Sequence, residues 1–222
     1  MNGLVQTVAP DSEPITLAEA KAWLRVDAAN EDTLILSLIT AAREHAETFT
    51  RRAFITQQFE LSLDTFPGCT RAINGALRAD PRYLDRRHAS DISPNREITL
   101  RRPPLVSVES VKYYDSTGAL QTLDPASYFV DTRAQPGRIV LNSDYDWPET
   151  QSRPNAVIIA YTAGYGADSA SVPGRIRTAM RYMVTHWFIN RTPVETGLRA
   201  AAIDVPHTAE MLLWQVRIPD AV

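Results

Sequence analysis

The chain has 222 residues and a mass of 24.7 kDa; 44% of its residues are hydrophobic and its formal net charge is −3. This composition suits a packed globular core and is compatible with one large domain or two small ones. No apolar run approaches the roughly 20 residues that span a bilayer. The N-terminal sequence also lacks the basic and apolar regions of a signal peptide. We therefore expect a soluble, unexported protein with no membrane partner.

Residue types that carry catalysis or bind metals are scattered through the sequence. Cys69 is the only cysteine, so no internal disulfide can form, and no histidine lies near it. The four histidines, at no spacing typical of metal ligands, are His45, His88, His186 and His207. No G-x-S-x-G nucleophile motif occurs. The sequence therefore predicts no catalytic residue, no metal site and no cofactor.

Two helices are predicted near the N-terminus. Thr16 and Glu19 have the T-x-x-E spacing of a capping box, which satisfies free N–H groups at a helix start. The inner face predicted for this helix consists of Leu17, Ala20 and Leu24. The core stripe predicted for the second helix consists of Leu34, Ile35, Leu38, Ala41, Ala42, His45 and Phe49. We assign residues 1–53 to the N-terminal part of a helical body.

A region of β-strands follows. From Phe54 the hydrophobic period changes to two, the pattern of a half-buried strand. Further strands are predicted at REITLRR, LVSVESVKYYD, SYFVD, GRIVL and AVIIAY. The DSTGA turn joins LVSVESVKYYD to a short continuation at LQTL, as a hairpin. An arginine-rich loop, residues 71–95, has no sustained periodicity, so we expect it to be mobile or ordered by a partner. Residues 54–165 are therefore an inserted antiparallel β module.

A glycine loop precedes the next helix, as it does in proteins that bind nucleotides. A dinucleotide fingerprint needs a third glycine where this chain has Ser169, and a phosphate loop needs a lysine, but none follows Lys112. We interpret the loop as a structural turn in which Gly164 and Gly166 adopt positive φ angles and Pro173 occupies the first helical turn. A nucleotide-binding enzyme is the alternative interpretation.

The remaining residues complete the helical body. The long helix is assigned to residues 166–192, with Ser169 or Ser171 as its cap and Asn190 at its end. Its predicted core stripe consists of Ile176, Ala179, Met180, Met183, Val184, Trp187 and Phe188. An irregular arm and a short helix presenting apolar side chains occupy residues 193–222. The predicted fold class is α+β: a helical body with an inserted antiparallel β module.

Several of these stretches, in this order, resemble the phage head-tail connector (adaptor) family, which includes the gp6-like connectors and the related phiE125 gp8 group. The matching stretches are PITLAEAKAWLRVD with the helix that follows it, RRPPLVSVESVKYYDSTGA, YTAGYG and VPGRIRTAMRYMVTHWFINR. The arginine-rich loop and the tail after Thr192 depart from the family pattern.

The resemblance implies a virion structural protein of the neck, present in the host cytoplasm before assembly and without catalytic activity. It implies a homo-oligomeric ring, with twelve copies expected, below the portal protein. Double-stranded DNA would pass through the lumen without sequence-specific contacts. The ring would extend the DNA channel, help to retain the packaged genome and carry the next neck or tail protein, a stopper or terminator. A head-completion (stopper) or tail-terminator protein is the closest alternative.

Within that framework two groups of side chains are candidate contact residues. Arg175, Arg177 and Arg181 lie away from the apolar stripe, and they are candidates either for contacts between subunits or for DNA phosphates in the lumen. A solvated helix face is an equally good interpretation of these arginines. The candidates for docking to the portal are Met211, Leu212 and Trp214. Packing of these three on their own subunit is the alternative.

Overall fold

The computed structural model has the α+β fold class that the sequence predicts. The residues that it describes are 3–68, 71–73, 76–78, 96–190 and 206–219. The chain divides into two compact units. We call Met1–Ala9 with Gln57–Ala163 the β unit, and Pro10–Thr56 with Gly164–Val222 the helical unit. No described helix is both long enough and apolar enough to cross a membrane.

The helical unit contains four described helices. They are α1 (Leu17–Leu24), α2 (Asp32–Thr50), α3 (Gly174–Ile189) and α4 (His207–Trp214). Their inner faces share one apolar core, in which Ile15, Phe54 and Ile55 are also buried. This shared core explains why chain segments from before and after the β region form one unit.

Helix α1 starts at the predicted capping box. The Thr16 hydroxyl accepts a hydrogen bond from the Glu19 backbone N–H at 3.2 Å, and the Glu19 carboxylate accepts one from the Thr16 N–H at 2.9 Å. The two backbone N–H groups would otherwise lack a hydrogen-bond partner at the helix start. Ala20 is buried, and Leu17 and Leu24 pack against the core, so the predicted inner face is confirmed.

The predicted core stripe of α2 is confirmed at Ile35, Leu38, Ala42 and Phe49, which are buried or pack against the core. Its buried apolar residues are Ile35, Ile39, Ala42 and Ala46. His45 was expected in the core, and this was wrong because the side chain is exposed, although its ring packs edge to face with that of Trp187. The pairs Leu34–Ile35 and Ala41–Ala42 offer two stripes of equal spacing, so periodicity alone does not distinguish between them.

A buried ionic network accompanies the observed stripe of α2. Arg43 is 7% exposed, and its guanidinium contacts Glu13 at 2.9 Å and Glu47 at 3.2 Å. The other oxygen of Glu47 accepts a hydrogen bond of 2.8 Å from the Phe54 backbone N–H. Burying a charge is costly unless it is paired, and the partners come from Glu47 on the same helix and from Glu13 in the segment before α1.

Helix α3 shows the predicted stripe. Ile176, Ala179, Met180, Met183 and Val184 are buried, and Trp187 and Phe188 pack partly buried against the same core. The helix ends at its predicted C-cap, Asn190. The predicted serine cap is wrong. Ser169–Ser171 form a separate 3₁₀ turn that Asp168 caps, so neither serine reaches the first turn of α3.

The β unit contains ten described strands. In chain order they are β1 (Gly3–Val8), β2 (Gln57–Leu63), β3 (Arg71–Ile73), β4 (Ala76–Arg78), β5 (Glu97–Thr99), β6 (Leu105–Tyr114), β7 (Leu120–Thr122), β8 (Tyr128–Asp131), β9 (Arg138–Leu141) and β10 (Val157–Ala163). All strand pairs are antiparallel. One sheet has the order β1-β2-β10-β6-β7, and a second has the order β5-β9-β8.

The strands that the sequence predicts are present, and alternating residues of β2 and β10 form the core of the larger sheet. Strand β1 was not predicted. It pairs with β2 and belongs to the β unit, whereas the sequence pattern placed residues 1–53 in the helical body. Most of its side chains are exposed, which explains why the sequence shows no burial pattern there.

The arginine-rich loop, residues 71–95, is described only in part. Strands β3 and β4 form a short antiparallel ladder within it. These two strands were not expected from the sequence. The expected mobility or partner-induced order of this loop concerns residues that otherwise lie outside the described part of the chain.

Candidate interaction surfaces

The glycine loop after β10 is held by backbone pairing inside the helical unit. The Tyr165 N–H donates to the Phe54 carbonyl at 3.0 Å, and the Thr56 N–H donates to the Gly166 carbonyl at 2.9 Å. Gly164 has a φ of +140°, and a Cβ at this position would lie 2.6 Å from backbone atoms of Ile55 and Thr56. The space that a phosphate would need next to Gly164 is therefore occupied by protein backbone.

The other predicted turn residues act differently from expectation. Gly166 does not have a positive φ; it is required because a Cβ would collide with the Ser171 side chain. Pro173 is the N-cap residue of α3, just before the predicted position, and its carbonyl accepts a hydrogen bond of 2.9 Å from the Ile176 N–H. Gly164, Gly166 and Pro173 nevertheless all lie in the turn that leads into α3.

Two of the three candidate arginines pair within their own chain. Arg177 forms an ion pair with the Glu19 carboxylate and donates through Nε to the Pro14 carbonyl at 3.1 Å. Arg181 contacts the same Glu19 oxygen at 3.3 Å. Glu19 therefore caps α1 and also links α1 to α3. Opposite charges were expected to meet between subunits, and here they meet inside one.

The ionisation of Glu19 reflects this position. Partial burial acts to raise the pKa of its carboxyl group, but the backbone hydrogen bond from Thr16 and the charges of Arg177 and Arg181 outweigh burial. The pKa of Glu19 is consequently below its ordinary value. The carboxylate is charged at neutral pH and can act as the anionic partner of both arginines.

Arg175 has a different environment from the other two. It lies exposed in the first turn of α3, and its Nη1 contacts the side-chain oxygen of Gln215 at 3.4 Å, near the upper limit for a hydrogen bond. No carboxylate pairs with it among the described residues. Of the three candidate arginines, Arg175 is the one that a partner could reach without breaking an ion pair.

Helix α4 is anchored by residues other than those predicted to mark it. Ala209 and Leu213 are buried in the core of the helical unit. Leu212 is only partly buried and packs against the same core, whereas Met211 is 56% exposed and Trp214 is 58% exposed. Two of the three residues predicted to dock to the portal, Met211 and Trp214, therefore have exposed side chains.

The exposed Trp214 side chain packs against two neighbouring side chains. Its ring packs edge to face on Phe49 of α2, with centroids 5.6 Å apart, and the Arg217 guanidinium lies 4.5 Å from the Trp214 centroid. The backbone after α4 is also bound to α2, because the Ile218 N–H donates to the Thr50 carbonyl at 3.0 Å. We call Met211 and Trp214 the α4 patch.

The described residues also contain no group of three or more His, Cys, Asp or Glu side chains that could hold a metal ion. One shallow cleft of about 340 Å³ lies in the helical unit beside Ile15, Leu17 and Leu36. Both acidic residues that line it already have partners: Glu13 accepts hydrogen bonds from Arg43 and Thr40, and Asp168 accepts from Ser171. The α4 patch and Arg175 therefore remain as the candidate contact groups.

Comparison with known proteins agrees with the resemblance seen in the sequence. Residues 14–75 match the model of the phage gp6-like head-tail connector protein family. This match contains α1 with its capping box, α2 and β2. The predicted resemblance to that family is thus confirmed. No curated protein matches the chain.

Solved structures extend the similarity of fold to almost the whole chain. A chain from the neck of an empty GTA particle, computed with C6 symmetry, superposes with a TM-score of 0.72 at 20% identity and covers 99% of this chain and 97% of its own. A chain from the virion of a native gene transfer agent (GTA) particle gives 0.69 at 18% identity over the same shares. The neck of a native GTA particle computed with C12 symmetry gives 0.62 at 18% identity, again with these shares.

Proposed function

We propose that this protein is a structural component of the neck of a phage-like particle, where it acts as the head-to-tail connector. The observation that carries the proposal is the match of fold to GTA neck chains over 99% of the chain. The family match over residues 14–75 supports it independently. The protein is synthesised in the host cytoplasm and becomes part of the virion on assembly.

The proposed assembly is a ring of twelve copies below the portal protein, with double-stranded DNA in its lumen. Neck structures of similar fold have been computed with C6 and C12 symmetry, as expected of closed rings. A closed ring uses two different surfaces of each subunit, so the contact residues need not be self-complementary. Such a ring extends the portal channel, helps to retain the genome and presents its other end to a stopper or terminator protein.

We keep only some of the candidate contact residues in this proposal. Arg177 and Arg181 are engaged by Glu19, so we assign them to the stability of the subunit. Arg175 is the remaining candidate on α3 for a partner. The α4 patch is the proposed portal-docking surface, because Met211 and Trp214 are exposed although they lie on an anchored helix.

Reconstitution with the portal protein encoded in the same genome tests this function. The purified protein should bind preformed portal rings, and electron microscopy should show an added ring on the portal axis. Met211→Ala combined with Trp214→Ala should abolish binding while the protein stays folded. A protein that fails to bind portal rings but closes the end of a tail tube would instead be a tail terminator.

No catalytic role is proposed. The alternative of a nucleotide-binding enzyme places phosphate at the Gly164 loop, where backbone atoms of Ile55 and Thr56 lie. Thermal unfolding in the presence of ATP, GTP or NAD is the direct check, because a specific ligand raises the melting temperature. A clear increase with any of these would revive the enzyme interpretation.

A further inference from the structure

Strand β1 lies at one edge of the larger sheet and leaves one side of its backbone open. In the part of the chain that the structure describes, only β2 pairs with it. Its sequence, GLVQTV, contains no charged residue and no proline, and Val5 is 58% exposed. Edge strands of soluble proteins ordinarily are very short or carry charges, proline or bulges, because their free N–H and C=O groups can pair with another chain. Of these devices β1 has only a register shift between Gln6 and Val8.

The other described edge strands are shorter than β1. Strands β5 and β7 have three residues each, and β5 contains Glu97. Strand β8 has four residues and ends at Asp131. Strand β1 has six. Among the described edge strands it therefore offers the longest backbone for pairing with another strand.

The opposite side of the same sheet has a second open edge, on β6. Strand β7 pairs only with Lys112–Tyr114, and the Leu123 N–H donates to the Val111 carbonyl at 2.8 Å. Residues 105–110 pair with β10 on one side, and no described backbone group bonds to them on the other. Two register shifts occur in the ladder with β10, and the two strands nevertheless stay paired along it. This open part of β6 has six residues, as β1 does.

Both open edges carry a partly buried apolar side chain on the same face of the sheet. Leu4 lies opposite Leu61, and Val108 lies opposite Tyr161. Leu61 and Tyr161 belong to the buried face of the sheet. Leu4 and Val108 are themselves only partly buried. If the two edges met, these two side chains would cover each other.

The directions of the strands also suit a joint between copies. Three antiparallel steps separate β1 from β6, so these two strands run in opposite directions. A second copy placed beside the sheet without being turned over brings its β1 antiparallel to β6. Pairing of β1 with β1 would instead need a two-fold axis, and it would close as a dimer.

We propose that β1 of one subunit pairs with residues 105–110 of β6 in the next subunit, so that the larger sheet continues from copy to copy. The occupant of each edge is thus a second copy of this chain. The inference rests on the proposed ring, and it assigns the two different surfaces that a closed ring requires. Main-chain hydrogen bonds hold the joint, and the contact of Leu4 with Val108 adds apolar burial.

Pairs of introduced cysteines test the joint directly. In a Cys69→Ser background, Val5→Cys is combined with Ser107→Cys or with Ser110→Cys, because these three positions share one face of the sheet. Within one subunit β1 and β6 are three strand spacings apart, about 14 Å, which is too far for a disulfide. Mild oxidation of the protein bound to portal rings should therefore link different copies. Denaturing electrophoresis should show a ladder of dimers, trimers and higher forms.

The cysteine experiment has two controls for other occupants of the β1 edge. Val5→Cys alone should give no dimer, because the joint does not bring two β1 strands together. A dimer from this single variant would mean β1–β1 pairing and would overturn the proposal. If a photoreactive group attached at Val5→Cys links to the portal protein and not to a second copy, the portal occupies this edge and the proposal fails.

Charge substitutions test the same joint without a covalent link. Val5→Glu should lower ring formation about 10-fold or more, because the new charge would face the edge of β6 that carries Glu109. Adding Ser107→Lys should recover ring formation to within about 3-fold of wild type, since the two charges meet only across the joint. Phe129→Glu is the matched control: Phe129 is 62% exposed on the edge strand β8, and its replacement should leave ring formation within about 2-fold.

The outcomes separate this inference from the proposed function. If the wild type forms a ring on the portal, but no cysteine pair links copies and Val5→Glu has no effect, the joint is wrong and the connector function stands. If the wild type does not bind portal rings and free protein still gives the ladder, the joint is supported and the connector function is contradicted. Absence of both portal binding and the ladder would contradict both.

Discussion

Arg177 of α3 forms an ion pair with Glu19, the residue that closes the capping box of α1, across 158 positions of sequence. Arg181 binds the same carboxylate one turn later. The insertion of the β unit between α2 and α3 separates these residues along the chain, yet one carboxylate connects both ends of the helical unit. We assign this contact to folding of the subunit.

Replacement of Glu19 should therefore destabilise the subunit. Glu19→Ala removes one half of the capping box and the partner of two guanidinium groups, so the free energy of unfolding should fall by about 1–3 kcal/mol. Chemical denaturation at neutral pH measures this change. Glu44→Ala is a suitable control, because the Glu44 side chain is 67% exposed and its contact with Arg43 is as long as 3.6 Å. Equal effects of the two substitutions would contradict the proposed role of Glu19.

The same carboxylate predicts a dependence of stability on pH. The pKa of Glu19 is lower in the folded protein than its ordinary value of 4.5, so the unfolded chain binds more protons at this site. Its stabilising contribution is complete above pH 4.5 and is lost as the pH falls through the folded pKa. The difference in unfolding free energy between wild type and Glu19→Gln should consequently shrink in acid. A difference that stays constant down to about pH 3 would refute this assignment.

The glycine loop yields a prediction with an internal control. Gly164→Ala would place a methyl group 2.6 Å from the Ile55 and Thr56 backbone at a φ of +140°, so it should cost about 3 kcal/mol or more. Gly174→Ala, at the start of α3, meets no atom within 4 Å and should be neutral or slightly stabilising. Thermal unfolding of the two variants distinguishes these cases. Tolerance of alanine at Gly164 would show that the loop is not closely packed.

Helix α4 should separate stability from binding. Leu213→Ala removes a side chain that is 1% exposed and should cost about 2–5 kcal/mol of unfolding free energy. Met211→Ala changes a side chain that is 56% exposed and should alter stability by less than about 0.5 kcal/mol. Met211→Ala should lower portal affinity, and Leu213→Ala should lower the free energy of unfolding. The opposite pattern would show that the docking surface is not the α4 patch.

The sequence predicted those features whose signal is local. The capping box at Thr16, the long stripe of α3 and the alternation in β2 each repeat over several residues, and the structure contains them. Strand β1 was missed because it is an edge strand with few buried side chains. In α4 the adjacent Leu212 and Leu213 cannot be ranked by hydrophobicity, and in a helix of only eight residues one position changes the direction of a side chain by about 100°.

The contacts of Glu19 with Arg177 and Arg181 could not be read from the sequence, because they join residues more than 150 positions apart. Arg175, Arg177 and Arg181 form one helical pattern, and nothing local indicates that two of them pair internally and one does not. The interpretation of the glycine loop as a structural turn stays a prediction, which the close packing of backbone around Gly164 supports. The reason for Gly166, its contact with Ser171, became visible only in three dimensions.

Imaging of purified particles by cryo-electron microscopy tests the central claim most directly. The connector assignment predicts density for this chain as a closed ring that lies against the portal and surrounds the DNA path, with α4 at the portal contact. Particles that lack the protein, or that contain it at a site away from the portal, would contradict the assignment.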